Sequence, residues 1–425
     1  MTAMPALGFE HGEAHAAPAT RVTIVGLNYS PEEIGIGAFT GGMAKGLARQ
    51  GLSVHAIVGK PYYPQWQTWD GHRGTGWRSN MEDGVRVTRC PHYVPSRPSG
   101  IRRILHLASF SLAAIVPAVG AAFGRDRPDV VVCVAPAMLS VPVAWLLARL
   151  AGAKLWIHVQ DFEVEAAFAT GLVESGGLAA RLARRLENRL LSLADRVSAI
   201  SPQMCARLPE KGVPAARIAE VRNWANAPEP DPSHGLSYRT QWGLGERKVA
   251  LYSGNIANKQ GIEIVVEAAR LLAHRQDLHF VICGEGPNRK ALRARAAGLD
   301  NISFHDLQPA AKVGELLSLA SVHLLPQIAG AADLVLPSKL ANMLFSGRPV
   351  VATATPGTGL HAEVEGCGIS TPPGNCAAFA EAIVGLLDDP DAAARMGTAA
   401  RQRAVEHWSQ DAVVYRLAGM VRGLT

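Results

Sequence analysis

The residues best suited to chemistry lie together in the last third of the chain. Asp333 stands shortly before the pair Pro337 and Ser338, and Lys339 and Asn342 follow on a predicted helix. Proline is favoured in the first turn of a helix, where backbone N–H groups are free and the helix dipole is positive. The segment therefore predicts an anion site with a phosphate group as its guest. Taken by itself, an ordinary loop-to-helix junction is the alternative.

Two further loops carry residue types that bind phosphate and sugar groups. Asn255 follows a predicted strand, and Lys259 opens the next predicted helix, where a cation suits a diphosphate. Gly284 and Gly286 repeat the strand–glycine–helix pattern, and glycine lets the backbone approach a nucleobase or a ribose closely. For Lys259, a solvated loop position is the alternative.

A glycine-rich loop also follows the first predicted strand. Gly35 and Gly37 precede a helix, so their backbone N–H groups could approach a phosphate or a sugar. The pattern is only a weak match to the dinucleotide fingerprint G-x-G-x-x-G, because its glycines lie eight or more residues past the strand. The second strand ends in Gly59 and Lys60, with no acid for a ribose diol. These features disfavour a nicotinamide-dependent oxidoreductase.

His158 and Asp161 form a polar cluster at the carboxyl end of a predicted strand. A single histidine is usually a core residue, but polar groups at this end of a strand favour a binding site. Both side chains are therefore candidates for a site.

Two other carboxylate patterns carry less weight. Asp389 and Asp391 have the D-x-D form of a metal-bound sugar nucleotide site, but helix termination and capping explain them. Glu163 and Glu165 could imitate a glycosidase pair, which the sequence cannot place across a substrate.

These candidates are positioned by two alternating runs of strands and helices. Continuous apolar strands separated by helices predict parallel sheets covered on both faces. The fold class is therefore α/β, with two doubly wound, Rossmann-like domains facing a cleft and a helical C-terminal tail. Ligands of such sheets bind at the carboxyl ends of the strands. The predicted strands are 22–27, 53–59, 85–90, 130–134, 154–159, 196–201 and 218–223, then 249–253, 280–283, 302–305, 322–326 and 350–353.

The same pattern predicts how the chain divides. Between the two runs of strands and helices, a stretch rich in Pro, Asp, Ser and Gly interrupts the pattern and indicates a linker. The predicted parts are a disordered tail (1–20), a first Rossmann-like domain (21–224), the linker (225–246), a second Rossmann-like domain (247–390) and C-terminal helices that pack back toward the first domain (391–425).

The composition limits the class of protein. Of 425 residues, 48% are hydrophobic and 18% are charged, which is typical of a globular protein. The net charge of +6 fits nucleic acid, an anionic membrane or a phosphate-bearing substrate equally well. The six cysteines form no C-x-x-C pair, which predicts a reducing cytoplasm and no metal site. The first twenty residues show no secretory signal.

One segment of the first domain suggests contact with a membrane. Residues 101–119 are largely apolar, with Arg102 and Arg103 at one end and Arg125 and Arg127 beyond the other. The uninterrupted apolar stretch is short for a spanning helix. We therefore predict an interfacial helix on an anionic surface, with a buried core helix as the alternative.

Seven ordered motifs carry a family resemblance. They are the segments 28–31, 35–37, 61–66, 158–161, 252–255, 259–261 and 330–339. Through them the chain resembles the two-domain GT-B glycosyltransferases of the retaining family-4 type, over nearly its whole length from Val22 onward. It is most similar to the branch that builds bacterial exopolysaccharide repeat units of the colanic-acid type.

The resemblance implies substrates and roles. The donor would be a nucleotide-diphosphate sugar and the acceptor a polyprenyl-diphosphate-linked glycan at the cytoplasmic face of the inner membrane, with no metal, no cofactor and no nucleic acid. Asp161, His158, Asp333 and Lys259 would serve the hexosyl transfer. The donor would be held by Gly35, Gly37, Asn255, Lys259, Gly284, Gly286, Leu336, Pro337, Ser338, Lys339 and Asn342, and the acceptor side would include Tyr29, Tyr62, Tyr63 and Trp66.

The chain departs from this family in two places. Most relatives carry two glutamates seven residues apart at the donor site, and here Asn342 stands where the second is expected. An arginine often found before the phosphate-binding lysine is replaced by Asn255. An amide can hydrogen-bond a ribose hydroxyl but carries no charge. A sugar-nucleotide epimerase of similar fold and a non-catalytic nucleotide-sugar-binding protein therefore remain alternatives.

Overall fold

The protein consists of two α/β domains, each built on a mainly parallel sheet. The computed structural model describes residues 19–33, 35–97, 99–135, 138–162, 177–225, 235–257, 260–328 and 338–425. The fold class predicted from the sequence is confirmed within these ranges. Leu336, Pro337, Lys259 and Asp333 lie outside them, as does the side chain of Ser338.

The first domain carries an eight-stranded sheet. Its order is β3-β4-β2-β1-β5-β6-β7-β8, and only β3 runs antiparallel to its neighbour. The strands are β1 (Arg21–Gly26), β2 (Ser53–Gly59), β3 (Arg78–Glu82), β4 (Val85–Cys90), β5 (Val130–Ala135), β6 (Lys154–Val159), β7 (Arg196–Ala199) and β8 (Ile218–Glu220). The helices are α1 (Ile36–Arg49), α2 (Gly100–Phe123), α3 (Val141–Ala151), α4 (Leu178–Ser192) and α5 (Pro202–Arg207).

The second domain carries a six-stranded parallel sheet in the order β11-β10-β9-β12-β13-β14. Its strands are β9 (Lys248–Ser253), β10 (Leu278–Cys283), β11 (Ile302–His305), β12 (Val322–Leu325), β13 (Val350–Thr353) and β14 (Gly368–Thr371). Its helices are α6 (Gly235–Gln241), α7 (Glu263–Leu271), α8 (Arg289–Arg295), α9 (Val313–Ser318), α10 (Ser338–Phe345), α11 (Gly359–Val364) and α12 (Cys376–Asp388).

Each sheet has a point where the order of its strands reverses. It lies between β1 and β5 in the first domain and between β9 and β12 in the second. Every residue of β5 is buried, as a parallel strand with helices on both faces requires. Crevices at such switch points, beyond the carboxyl ends of the strands, are where doubly wound sheets bind ligands.

The predicted linker differs from the observed structure in its second half. Helix α6 begins within the range 225–246, and Tyr238 and Leu244 are buried among Val249 and Leu251 of the second sheet. A turn-forming composition therefore concealed a short helix that belongs to the core of the second domain. The edge strands β3 and β14 were also missing from the prediction.

The chain returns to the first domain at its C-terminal end. After α13 (Pro390–Arg403) and a π-helical turn (Ala404–Trp408), α14 (Gln410–Arg422) packs against α1. Gly42 and Gly46 of α1 allow this, because a Cβ atom on Gly46 would lie 2.8 Å from Val414. Glycines within α1 thus allow the C-terminal helix to pack closely against it.

The two domains also touch where their sheets end. Arg222, just after β8, forms an ion pair of 2.6 Å with Glu363 on α11. Gln203 on α5 lies so close to Gly359 that a side chain there would overlap it. Because α5 follows β7 and α11 follows β13, the carboxyl edges of the two sheets face each other across a cleft.

Helix α2 keeps only one side in the core. Phe110, Ala114 and Ala118 are buried, whereas large apolar side chains on the other side are 54–75% exposed: Ile101, Ile104, Leu105, Leu112, Val116 and Phe123. Among the described helices, α2 is long and apolar enough to cross a membrane by length and composition. One face of α2 belongs to the core of the first domain. Because the opposite face is exposed, α2 is not a wholly buried core helix.

Candidate active site

The loop after β1 is organised by a buried carboxylate. Glu32 is 2% exposed and accepts hydrogen bonds from the backbone N–H groups of Tyr62 and Tyr63, both at 2.9 Å. Asn28 donates to the same carboxylate, also at 2.9 Å. Burial raises the pKa of Glu32 above its ordinary value, against the effect of these hydrogen bonds. The carboxylate thereby fixes the loop after β2 against the loop after β1.

These two loops form one wall of a cavity of about 240 Å³. The cavity lies at the switch point of the first sheet, since Leu27 follows β1 and Val134 belongs to β5. Three other lining residues are the aromatic Tyr62, Tyr63 and Trp66. Three more have ionisable side chains: Arg103, His106 and Asp161. We call this space the switch-point cavity.

The lining of the switch-point cavity suits a sugar. Tyr62 and Trp66 meet edge to face with centroids 5.4 Å apart, and such rings offer apolar faces to the C–H groups of a pyranose. Asp161 is exposed and supplies carboxylate oxygens that can accept hydrogen bonds from hydroxyl groups. The predicted grouping of Tyr62, Tyr63 and Trp66 with Asp161 is thus present in the structure. Gly35, predicted for the donor, lies on the same cavity.

Tyr29 does not belong to this grouping, contrary to the prediction. Its side chain is 1% exposed and packs in the core beneath the guanidinium of Arg89, which lies 5.7 Å from the ring centroid. Burial raises the pKa of its hydroxyl far above the ordinary value. Tyr29 is a structural residue of the loop after β1, and its side chain does not line the switch-point cavity.

His158 is also a structural residue, which corrects its predicted place in the site. It is 2% exposed, and it bonds Ser198 at 2.9 Å through Nδ1 and Gln160 at 3.0 Å through Nε2. Because the Gln160 amide nitrogen can only donate, His158 Nε2 accepts and Nδ1–H donates to Ser198. Burial lowers the pKa of His158 to about 4, so the ring is neutral at pH 7. It cannot reach a substrate in the cleft.

In the second domain, a lysine lies at the carboxyl end of β9. The ammonium of Lys339 donates to the Tyr252 hydroxyl at 3.1 Å and sits 4.2 Å from the centroid of that ring. A Cβ atom on Gly254 would be 3.5 Å from the Lys339 side chain. Asn255, whose side chain is exposed, follows Gly254 directly, so two of the predicted donor residues, Lys339 and Asn255, lie beside the switch point of the second sheet. Asn342, half-buried, lies about one turn after Lys339 on α10.

Gly284 and Gly286 are needed for a contact between loops. At φ +154° and +156°, their backbones lie against the carbonyl groups of Gly254 and Ile256, which any Cβ atom would overlap. Gly254 N donates to Cys283 O at 2.9 Å, and Ile256 N donates to Glu285 O at 2.8 Å. The loop after β10 therefore supports the loop after β9. Gly37 is likewise buried, and a Cβ atom there would meet Glu32.

Sequence reasoning missed Glu32, Arg103 and His106 in this site. Arg103 and His106 lie on α2, for which the sequence suggested an interfacial helix or a buried core helix but no part in the site. Glu32 stands beside Glu33 in a loop, and no periodicity distinguishes the buried member of the pair from the exposed one. Within the described residues, no cluster of three metal-ligating side chains is present.

Two family models together match most of the chain. A glycosyl transferase 4-like domain matches residues 35–224, and a glycosyl transferases group 1 domain matches residues 247–389. The chain is 41% identical over 343 residues to WcaI of Escherichia coli (strain K12), named for colanic acid biosynthesis, with 79% of this chain and 83% of WcaI covered. It is 25% identical to a GDP-mannose-dependent alpha-(1-6)-phosphatidylinositol monomannoside mannosyltransferase of Mycobacterium tuberculosis, covering 95% of this chain and 98% of the relative.

Solved structures share the fold. Sucrose-phosphate synthase from Thermosynechococcus elongatus superposes with a TM-score of 0.69 at 20% identity, covering 95% of this chain and 99% of that protein. The Anabaena protein Alr3699/HepE, solved in complex with UDP, gives a TM-score of 0.65 at 16% identity, with 95% and 100% covered. Both comparisons show that the two-domain fold is shared.

Proposed function

Because the chain belongs to the glycosyltransferases that join a glycosyl transferase 4-like domain to a group 1 domain, we propose that it extends a lipid-linked glycan in the synthesis of a cell-surface polysaccharide. The donor is a nucleotide-diphosphate sugar, and the anomeric configuration is retained. The observation that carries this proposal is the switch-point cavity, which combines aromatic rings, a carboxylate and an arginine at the edge that faces the second domain.

The donor side of the proposal rests on the loop after β9 and on Lys339 of α10. The Lys339 ammonium lies beside Gly254 and Asn255 at the switch point of the second sheet. When the anomeric bond breaks, negative charge develops on the diphosphate, and fixed cations and backbone N–H groups lower the energy of that state. We assign this role to Lys259 together with the N–H groups near Pro337 and Ser338. The proposed chemistry needs no metal.

The acceptor side rests on Asp161 and the rings of the switch-point cavity. Asp161 orients the hydroxyl groups of the sugars, and Tyr62, Tyr63 and Trp66 hold the acceptor ring. This proposal gives His158 no part in proton transfer, because it is buried and both ring nitrogens are hydrogen-bonded within the core. The leaving phosphate takes up the acceptor proton as the new bond forms on the same face of the sugar.

The lipid part of the acceptor is supported by α2. Arg103, His106 and Leu107 line the switch-point cavity, while Ile101, Ile104 and Leu105 of the same helix end are exposed. An apolar helix face beside basic residues suits the interface of an anionic membrane. We therefore propose that the protein associates peripherally with the cytoplasmic face of the membrane and receives its acceptor there.

A transfer assay tests the proposed reaction. Purified protein is incubated with a panel of UDP- and GDP-sugars and a synthetic polyprenyl-diphosphate-linked saccharide, and the product anomer is determined by NMR. Lys259→Ala should lower kcat/KM by about 10²-fold, the usual cost of losing a charge-stabilising donor. A loss below about threefold would refute the phosphate role of Lys259.

Two controls separate this reaction from other activities. When the nucleotide sugar is incubated without an acceptor, it should remain unchanged except for slow hydrolysis. Formation of an epimer of the nucleotide sugar would instead indicate an epimerase. Donor binding without turnover in the presence of every acceptor would indicate a non-catalytic binding protein.

The membrane proposal has its own test. Wild type should float with vesicles that contain anionic lipid at low salt, and an Arg102→Ala/Arg103→Ala variant should float several-fold less. An Arg125→Ala/Arg127→Ala variant, changed beyond the opposite end of α2, is the matched control. Equal flotation of all three proteins, or none by wild type, would contradict a role of this helix end.

A further inference from the structure

A second cavity of the first domain contains a buried lysine without a carboxylate partner. This cavity of about 390 Å³, which we call the Lys60 pocket, is lined by Lys60, Thr68, Arg73, Gly74, Thr75, Pro91 and His92. Lys60 follows β2 directly and is 4% exposed. Within the described residues, its ammonium has one hydrogen-bond acceptor, the carbonyl oxygen of Gly74, and forms no ion pair.

A buried ammonium in this state is energetically unfavourable. Burying a charged group costs several kcal/mol of folding free energy unless an opposite charge and hydrogen bonds compensate for the lost hydration. The first domain shows the compensated arrangement at Lys211, which is 8% exposed and pairs with Glu187 at 2.6 Å. Within the described part of the chain, Lys60 has two remaining donors and no such partner, so its pocket is suited to an anion from outside the chain.

The other residues of the Lys60 pocket also favour an anion. Arg73 adds a second positive charge, which is shared with Asp70 at 3.0 Å, and two threonines add hydroxyl donors. Among the described residues, no carboxylate belongs to the lining. Two cations with hydroxyl groups form a set that binds phosphate oxygens.

The position of the Lys60 pocket connects it to the acceptor. His92 packs against Tyr62 and His106, with ring centroids 5.6 Å and 5.1 Å apart, and both of these rings line the switch-point cavity. One layer of rings therefore separates the two cavities. Lys60 and Tyr62 also belong to the same loop, which Glu32 fixes through the Tyr62 N–H group.

We propose that the Lys60 pocket is an oxyanion subsite that binds a phosphate group of the acceptor, an assignment that rests on the proposed function. The acceptor sugar occupies the switch-point cavity, and its diphosphate extends past the edge of the ring layer to the Lys60 pocket. The subsite selects acceptors that carry phosphate over neutral glycans. The subsite also explains why the protein keeps a buried lysine without a carboxylate partner among the described residues, although this lysine lowers the stability of the ligand-free protein.

The effect of burial on Lys60 gives an independent signature. Burial and the nearby Arg78 lower the pKa of its ammonium. An anion bound beside Lys60 favours the charged form and raises that pKa again. Binding should therefore take up a proton at alkaline pH, which calorimetry in buffers of different ionisation enthalpy detects.

The test uses Lys60→Met, which keeps the length of the side chain and removes its charge. Calorimetric titration with inorganic pyrophosphate is done on the full chain, with the donor site saturated by the nucleotide diphosphate that raises Tm most. The Kd for pyrophosphate should rise at least tenfold in Lys60→Met, and affinity for the nucleotide should not change. The ligand-free variant should melt at a higher temperature than wild type.

Lys45→Met is the matched control, because Lys45 belongs to the same domain and has its own partner, Asp83, at 2.8 Å. This variant should bind pyrophosphate as wild type does. An equal loss in both variants would reduce the effect to general electrostatics and overturn the proposal, as would unchanged binding in Lys60→Met.

Kinetic measurements identify the source of the phosphate. Pyrophosphate should compete with the lipid-linked acceptor, and Lys60→Met should raise the acceptor KM at least tenfold while leaving the donor KM unchanged. Binding at Lys60 that does not compete with the acceptor would overturn the assignment to the acceptor. A Lys60→Met variant that loses vesicle flotation while keeping pyrophosphate binding would assign Lys60 to the membrane surface. If no donor supports transfer but pyrophosphate binding still depends on Lys60, the proposed function fails and the anion site stands.

Discussion

The carboxyl edges of the two sheets are built in different ways. At the first edge, a buried side chain connects the loops, because Glu32 accepts hydrogen bonds from Asn28, Tyr62 and Tyr63. At the second edge, backbone connects them, because Gly284 and Gly286 lie directly on the loop after β9. Side-chain connections can be altered in steps, whereas a backbone contact without a Cβ atom tolerates no change. The two edges should therefore respond differently to mutation.

The largest effect is expected at Gly284. Gly284→Ala should destabilise the protein by about 3 kcal/mol, because the added Cβ overlaps Gly254 and the φ of +154° disfavours a side chain. Urea unfolding measures this, and nucleotide affinity should fall with it. Gly298→Ala is the control, since Gly298 has φ +83° and open space around its Cβ position. It should cost only about 1 kcal/mol, and an equal cost at both glycines would refute the loop-contact argument.

At the first edge, Glu32 should show a graded response. Glu32→Ala leaves two buried N–H groups without an acceptor and should cost about 2 kcal/mol, whereas Glu32→Gln keeps one acceptor oxygen and should cost less. Both variants should raise the acceptor KM more than the donor KM. If Gln and Ala are equally destabilising, the hydrogen bonds of Glu32 do not organise the loop.

Acid should affect His158 of the first edge in a predictable direction. The pKa of this ring is lowered to about 4 in the folded protein, from 6.5. Below pH 6.5 the unfolded chain binds a proton that the folded protein does not, so stability falls as the pH falls from 6.5 toward 4. The expected loss between pH 8 and pH 5.5 is about 1.4 kcal/mol. The pH dependence of Tm should be shallower in His158→Asn, and an unchanged slope would mean that His158 does not contribute.

The smallest expected effect concerns Asn342 at the second edge. We expect its amide to hydrogen-bond the donor ribose, so Asn342→Ala should weaken nucleotide binding by about 1 kcal/mol, the contribution of one neutral hydrogen bond. Asn342→Glu should be tolerated. Folding, measured by Tm, should stay intact in both. An Ala variant with unchanged donor affinity would leave Asn342 a purely structural role.

The sequence predicted the sheets well where the strands are apolar. Strands β2, β4, β6, β11 and β13 have the predicted bounds, because each is a run of largely apolar or β-branched residues ended by a turn. Strand β3 could not be predicted in this way. Its residues Arg78–Glu82 are mostly exposed at the edge of the sheet and carry no apolar pattern.

The candidate site was predicted less completely, for reasons that individual residues show. His158 faces Ser198 across the sheet, and only this pairing of β6 with β7 reveals that its hydrogen bonds are satisfied in the core. Tyr29 and Tyr62 look alike in sequence, yet only the packing of Arg89 on Tyr29 tells which of them is removed from the cavity. From the sequence, Lys60 indicates only that the second strand lacks an acidic residue for a ribose; its burial in a pocket is visible only in the structure. Such contacts join residues far apart in the chain, so local patterns do not contain them.

The return of α14 to the first domain has a consequence for biosynthesis. Val413, Val414 and Leu417 share one hydrophobic core with Val22 and Ile24 of β1, and Gln410 donates to the carbonyl oxygen of Gly42, 368 residues earlier. Translation delivers the second domain before these residues exist. The nascent first domain therefore keeps part of its core uncovered until the last helix has been made. The part of the chain that is synthesised first is completed by the part that is synthesised last.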